Sequence, residues 1–441
     1  MAMRSYSGLA LDDDILDRIM TFCPTFGTLQ STVLVSKSFY RIFQTHPKSI
    51  TRAVAYNIVG PALPQALRVI QYPYPAHHAA DTLDALRMAT ECPEDHAPSV
   101  ITADEKAMLQ GNSKVVAALE DIYSLTNKDR TSKTSVLTPE ESWRFRRAMY
   151  RLMLYCNLFP PDRHERHEID DLEDTAIEKI FAQRTAVLNV YPTDELVQLY
   201  AVAKFMRGLL EGLSGGDPRT VDIFQSLGPA RALYGWQERH IGVLVDDISD
   251  ELFDNDDDIA LFSGYFATPF KNLWETRKIP PLKDEEPLSK WILDQVNGAN
   301  DTCSQCASPG GLQLFTDANW HRFPIILPNL LKSNLKANPL VTQPFFAATR
   351  HIAGSDALGP WISGLWAFRQ TEFHGWDVGD SYCSPCLLKF LEEHVWRWFL
   401  DHQLAAGWTP PEDCWYGWNC RTQTHSLHHQ QTRNHLCVPT K

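Results

Sequence analysis

The sequence predicts a mainly α-helical protein, finished at its C-terminal end by segments that a metal ion would have to organise. Two observations predict the helices. Apolar residues recur at three- and four-residue spacing through most of the first 290 positions, which is the period of one helix face. Helix starts are also written in local chemistry: Thr138-Pro139-Glu140-Glu141 offers a capping threonine, a proline at the first helical position and a glutamate at the third,. The third observation concerns cysteine, because seven of the ten lie between Cys303 and Cys437, mostly in pairs.

Bulk composition narrows the classes. A chain of 441 residues exceeds one comfortable hydrophobic core, so two or three domains are expected,. An apolar fraction of 44% and an aromatic fraction of 11% are those of a folded, soluble protein,. The net charge of -13 argues against general nucleic-acid binding, which rests on a surplus of Lys and Arg,. No apolar run is long enough to span a bilayer, and the N-terminus lacks a signal-peptide core,. The expected compartment is therefore cytoplasmic or nuclear, without a membrane partner. In such reducing surroundings paired cysteines indicate metal binding more often than disulfides.

Residues 5–50 form the first expected unit. Asp12, Asp13 and Asp14 suit the positive end of a helix dipole,, and Ile15, Leu16 and Ile19 follow as its apolar face. Pro24 ends that helix. A second helix is expected to open at Thr28-Leu29 and to carry Val33, Leu34, Val35, Phe39, Ile42 and Phe43. The order Leu11-Asp12-Asp13-Asp14-Ile15-Leu16-Asp17-Arg18-Ile19, then Leu34-Val35-Ser36-Lys37-Ser38-Phe39-Tyr40, resembles an F-box. The continuation through His46-Pro47-Lys48-Ser49-Ile50 and Val59 to Leu67 is similar to the F-box-like proteins of filamentous and mushroom-forming fungi. Asp12 stands where that family usually has proline, which pre-sets only the first helical turn. The resemblance implies docking on an Skp-type adaptor, and through it on a cullin-RING ubiquitin ligase. The implied docking face is Leu11, Ile15, Leu16 and Ile19 with Leu34, Val35 and Phe39; the residues alone are equally compatible with packing onto the rest of the chain.

Residues 51–290 read as a helical middle region. Behind Thr138, Phe145, Met149, Leu152 and Tyr155 recur at helical spacing, and the stretch from Asp194 to Leu213 ends at Ser214-Gly215-Gly216. Polar breaks fall at Asn127 to Ser135 and at Asp246 to Asp258. The second is acidic, yet it lacks the central glycine and terminal glutamate of a calcium loop and reads as solvated,.

Residues 291–408 carry two Cys-x-x-Cys knuckles, Cys303-Ser304-Gln305-Cys306 and Cys383-Ser384-Pro385-Cys386. Each presents two thiolates from one turn, so together they make a four-cysteine zinc site that staples distant segments. The second knuckle leads into a helix running through Trp396, Trp398 and Phe399. Four protein thiolates leave no open position for substrate, so the site is expected to be structural. No thioredoxin-like pattern surrounds either pair.

Residues 409–441 hold Cys414 and Cys420, six apart, then His429 and His435, six apart. Four such ligands can close a tetrahedral zinc site, and so short a segment depends on the metal for its fold. Cys414-Trp415-Tyr416-Gly417-Trp418-Asn419-Cys420 followed by His-x5-His resembles the PBZ finger, which recognises poly(ADP-ribose). Eight residues separate Cys420 from His429 where that family has six, and Arg421 follows Cys420 directly. His425, His428 or Cys437 could replace either histidine. Tyr416 or Trp418 could stack on a base and Arg421 or Arg433 could pair with phosphate, Tyr416 and Arg421 being the first candidates; the alternative is a finger whose aromatics fill its own small core.

No Gly-x-Ser-x-Gly, Walker loop or HExxH occurs,, and the carboxylate pairs and isolated histidines single out no catalytic set. The expectation is a non-catalytic recruiting protein with zinc as its cofactor and a protein substrate that the sequence does not name.

Overall fold

In the computed structural model the described residues are 12–72, 94, 100–132, 134–160, 174–214, 218–238, 264–279, 288–320, 323, 327–352 and 355–441. Leu11 and the acidic stretch 246–258 lie outside them. The protein is mainly α-helical, as the periodicity predicts. Among the described residues strand pairing is confined to isolated bridges, and no helix is long and apolar enough to cross a membrane.

The chain divides into two compact units. The first comprises Met1–Glu120, Leu137–Leu233 and Leu244–Asp294; the second comprises Asp121–Val136, Tyr234–Val243 and Gln295–Lys441. The F-box-like segment thus shares a unit with most of the helical middle, and both cysteine-rich regions share the other.

The first unit opens with α1 (Asp13–Thr21), α2 (Phe26–Val35), α3 (Lys37–Thr45) and α4 (Pro47–Val59). The single helix expected from Thr28 to Phe43 is two helices. Ser36 is extended and its hydroxyl accepts from the amide of Phe39 at 3.4 Å, so it caps α3 and turns the chain,. Thr25 likewise caps α2, accepting from Thr28 at 3.0 Å. Leu16, Met20, Cys23, Leu29, Ile42, Ile50 and Val54 form one core among these helices.

Helices α5 (Leu63–Gln71), α6 (Ala103–Tyr123), α7 (Pro139–Leu158), α8 (Asp174–Leu188), α9 (Thr193–Ser214), α10 (Pro218–Ser226), α11 (Pro229–Glu238) and α12 (Ala267–Thr276) continue the chain. Helix α7 lies against α5 and α9, and α8 against α12. The Thr138 start of α7 is a complete capping box: Glu141 donates its amide to the Thr138 hydroxyl, and its carboxylate accepts the Thr138 amide at 2.8 Å,. Phe145, Met149, Leu152 and Tyr155 are all buried behind it. Buried charges in this unit are matched: Arg151 pairs with Glu94 and Glu195, each at 2.7 Å, and Arg147 pairs with Glu195 at 2.6 Å.

In the second unit, α13 (Pro339–Thr349), α14 (Ser355–Gly364) and α15 (Ser384–Ala405) surround an aromatic core. The Trp320 and Trp366 rings stack at 4.7 Å, Trp366 lies 4.0 Å from Phe390, and Trp376 stacks on Tyr382 at 4.9 Å. A short helix α16 (Leu427–Thr432) belongs to the terminal segment. That segment is built into the unit: Leu436 joins the aromatic core, and the Asn334 amide donates to the Asn419 carbonyl at 2.8 Å. Leu436 and Asn419 thus find their partners outside residues 409–441.

Candidate metal centres

Two groups of ligand atoms converge in the second unit, each within 4.8 Å of one another: Cys303, Cys306, Cys383 and Cys386, and Cys414, Cys420, His429 and His435. They are the eight metal ligands expected from the sequence. Each group could hold a metal ion.

The first group is assembled from two turns. The knuckle at Cys303 closes on itself, with the Cys303 amide donating to the Ser308 carbonyl and the Ala307 amide to the Cys303 carbonyl, each at 2.9 Å. Ala307 takes a φ of 54° to complete the turn. The partner knuckle is brought alongside by a paired bridge in which the Phe315 amide donates to Tyr382 at 2.8 Å and the Tyr382 amide to Phe315 at 2.9 Å. The Ser304 amide adds a bond to the Ser381 carbonyl at 2.8 Å. Cys383 is the N-cap residue of α15 and Cys386 lies in its first turn; the amides and dipole there favour thiolates, but without an ion, burial and the neighbouring thiols push both groups up. The sulfurs of Cys306 and Cys383 are 3.6 Å apart. A tetrahedron with metal–sulfur bonds of about 2.3 Å has edges of about 3.8 Å, so the spacing fits. Cys303 is buried, Cys383 and Cys386 are half-buried, and Cys306 is exposed. Hydrogen bonds from Ser308 draw the Cys306 thiol down to about 6.

Arg130 locks this region from a distant part of the sequence. It comes from the polar break that reads as a loop, yet its side chain is only 1% exposed. It donates to the Gly311 carbonyl at 2.9 Å and to the Ser381 hydroxyl at 3.3 Å, and pairs with Asp301. Asp301 in turn accepts through its carbonyl from the Gly310 and Gly311 amides. The loop bearing Cys303 and Cys306 is therefore fixed at its base. No local pattern marks Arg130, because its partners lie far along the chain.

The second group is more compact. Cys414 and Asn434 pair through their backbones at 2.9 Å, which sets His435 beside Cys414. The Ser426 hydroxyl caps α16 by accepting from the His429 amide at 3.4 Å, presenting His429 on its first turn. The Nε2 atom of His429 lies 3.6 Å from the Cys414 sulfur and 3.3 Å from that of Cys420. Metal–sulfur and metal–nitrogen bonds of about 2.3 and 2.0 Å give edges of about 3.5 Å in a tetrahedral site. His435 carries the sharper test. Its Nε2 is buried without a hydrogen-bond partner, an arrangement that costs free energy unless a ligand takes the lone pair. Burial, aided by His429, pushes the ring down to about 4, leaving it neutral as ligation requires,.

The alternatives left open in the sequence fall away on geometry. The Cys437 thiol donates to the Asn434 and Cys414 carbonyls at 3.3 and 3.5 Å, while His425 and His428 are exposed outside the cluster. Tyr416 and Arg421 are exposed on the turn around Cys420. Trp418 packs against the aromatic core and lies under Lys332 at 4.1 Å.

Of the residues expected on the docking face, some are exposed and some are buried. Ile15, Ile19, Leu34 and Val35 are exposed, Leu34 and Val35 by 75% and 73%. Leu16 is not among them. It stands one turn before Met20 on the inward side of α1 and is buried in the core of its own unit. Phe39 is half-buried against the same core. Phe22, which the sequence reading passed over, is 77% exposed. Its place three residues after Ile19 and seven after Ile15 was the signal that would have found it.

Comparison with family models, with curated proteins and with solved structures finds no match to this chain.

Proposed function

We propose that this protein is a non-catalytic recruiting subunit of a cullin-RING ubiquitin ligase, docking through α1 and α2 on an Skp-type adaptor in the cytoplasm or nucleus. The observation that carries the reading is the exposure of Ile15, Ile19 and Phe22 on and after α1 and of Leu34 and Val35 at the end of α2, none of them in the core that those helices share. Several large apolar side chains left exposed on neighbouring helices favour a surface meant for a partner. The second unit is then the recognition end, held by one zinc ion in each cluster. Zinc suits both donor sets, since four thiolates or two thiolates and two imidazoles are its usual closed structural sites.

The test is a pull-down of the full chain with an Skp-type adaptor, beside an Ile15→Asp, Leu34→Asp double variant. Both positions are exposed, so the variant keeps its fold. Binding by the native chain and its loss in the variant are expected. A native chain that does not bind sinks the ligase role.

A second reading concerns the terminal finger. The exposure of both Tyr416 and Arg421 favours binding of poly(ADP-ribose), an aromatic face for adenine and a guanidinium for pyrophosphate,. A Tyr416→Ala variant that keeps its metal is expected to bind the polymer less than the native chain. Equal retention by the two, or none by either, removes this reading.

A further inference from the structure

The two clusters differ in what solvent can reach. In the finger, Cys414 and Cys420 are 5% and 3% exposed and His435 closes the site from inside. In the knuckle pair, Ser304, Gln305, Cys306 and Ala307 are all exposed, so Cys306 is the ligand that solvent reaches most readily. The Cys383 sulfur sits 3.6 Å behind it, on the other knuckle. Two sulfurs from separate segments are thus in van der Waals contact, one on an exposed residue and the other on a half-buried one.

From this asymmetry we infer that the four-cysteine site is a redox-sensitive staple, which gives up its ion when a hydroperoxide joins Cys306 to Cys383, while the finger keeps its own. The inference rests on the zinc reading above. The Cys306 thiolate attacks one oxygen of the hydroperoxide; an S–O bond forms, the O–O bond breaks and hydroxide leaves. The Cys383 thiolate then attacks that oxidised sulfur; the S–S bond forms, the S–O bond breaks and a second hydroxide leaves. Two thiolates have lost two electrons, and the peroxide has become two hydroxides that water protonates. Losing one donor from each knuckle leaves Cys303 and Cys386 too few to retain the ion. Thiol reduction and added zinc reverse the change. The consequence is local: the disulfide takes over from the ion as the tie between the 301–311 loop and the start of α15, Cys303 and Cys386 are left without a metal, and Arg130 still holds the base of the loop through Asp301 and Gly311.

The experiment uses the full chain loaded with zinc, hydrogen peroxide as oxidant, and a chromogenic chelator to follow the ion released. Thiols are alkylated at intervals and the disulfides mapped without reduction. The expected result is one equivalent released early with a Cys306–Cys383 bridge, Cys414 and Cys420 still alkylatable, and full zinc content regained after dithiothreitol and zinc. A Cys414→Ser variant, lacking the finger's metal, is expected to release its remaining equivalent at the same rate. Release of both equivalents together, earlier oxidation of Cys414 or Cys420, or a disulfide confined to one knuckle overturns the inference while leaving the zinc reading intact. A chain that holds no zinc before oxidation overturns the zinc reading and this inference with it.

Discussion

The two clusters have nearly the same donor geometry and do different structural work. The knuckle pair joins turns that begin at Cys303 and Cys383, and the region between them already has a core of stacked tryptophans. There the metal would tie down a loop beside a folded body. The finger gathers its ligands from Cys414 to His435, where apart from Leu436 and Trp418 little apolar surface is buried. There the metal would be most of the reason for the fold. A tetrahedral donor set therefore says little about how much structure depends on it; the apolar surface around it decides.

The largest expected effect separates these roles. Cys420→Ala removes a buried ligand of the finger, and apparent binding energies of structural zinc in finger peptides run to about 10–16 kcal/mol. Amide protection is expected to vanish across residues 409–441, with one metal equivalent lost. Cys306→Ala also loses one equivalent, but lost protection should stop within about residues 301–311, because Trp320, Trp366 and Phe390 do not depend on that loop,. Hydrogen exchange with metal counting reads both. Protection lost throughout 320–399 in Cys306→Ala would erase the distinction.

A pair of glycines sharpens it. Gly311, at a φ of 48°, would place a Cβ 2.5 Å from the Ala299 carbonyl oxygen; Gly417, at 42°, would place one 2.2 Å from that of Cys437. Both sit in left-handed backbone that other residues enter at a cost, and in both the obstacle is backbone that has to move, about 1–3 kcal/mol for the conformation alone. Gly417→Ala is expected to weaken metal binding in the finger by roughly tenfold or more, since there folding and binding are one equilibrium. Gly311→Ala is expected to lower the urea midpoint of the second unit with a smaller change in metal affinity. Equal losses of affinity in both would argue that the knuckles, too, fold only around their ion.

How much of this could be read from the sequence follows the range of the interactions. The capping box at Thr138, the helix behind it and the eight ligands are short-range patterns, and the structure brings those ligands together as two sets. The break at Ser36 was harder, because a serine within a helical period signals a cap only when the chain turns there,. Periodicity placed both Leu16 and Ile15 on one apolar face, yet neighbours on a helix point about 100° apart, and here Leu16 turns inward while Ile15 stays exposed. Arg130 and Leu436 were out of reach. Each is defined by partners that only the folded second unit supplies.

The smallest expected effect tests the seam between finger and core. Lys332 lies 4.1 Å over the Trp418 ring and pairs with Glu393 of α15, so one ammonium bridges the finger and the main helix of its unit. A cation over indole contributes about 0.5–2 kcal/mol, more as water is excluded, and a partly exposed ion pair adds up to about 1 kcal/mol. Lys332→Met keeps the length and apolar stem while removing the charge. It is expected to lower stability by about 1 kcal/mol in urea denaturation, and to narrow the difference between low and high salt. A double-mutant cycle with Trp418→Leu assigns the share of the ring. A coupling near zero would mean that Leu436 and the Asn334–Asn419 bond hold the finger to the core without help from the charge. Release of the finger's metal in Lys332→Met would instead place the seam within the folding unit of the metal site, and the finger's dependence on its ion would extend to the core that it touches.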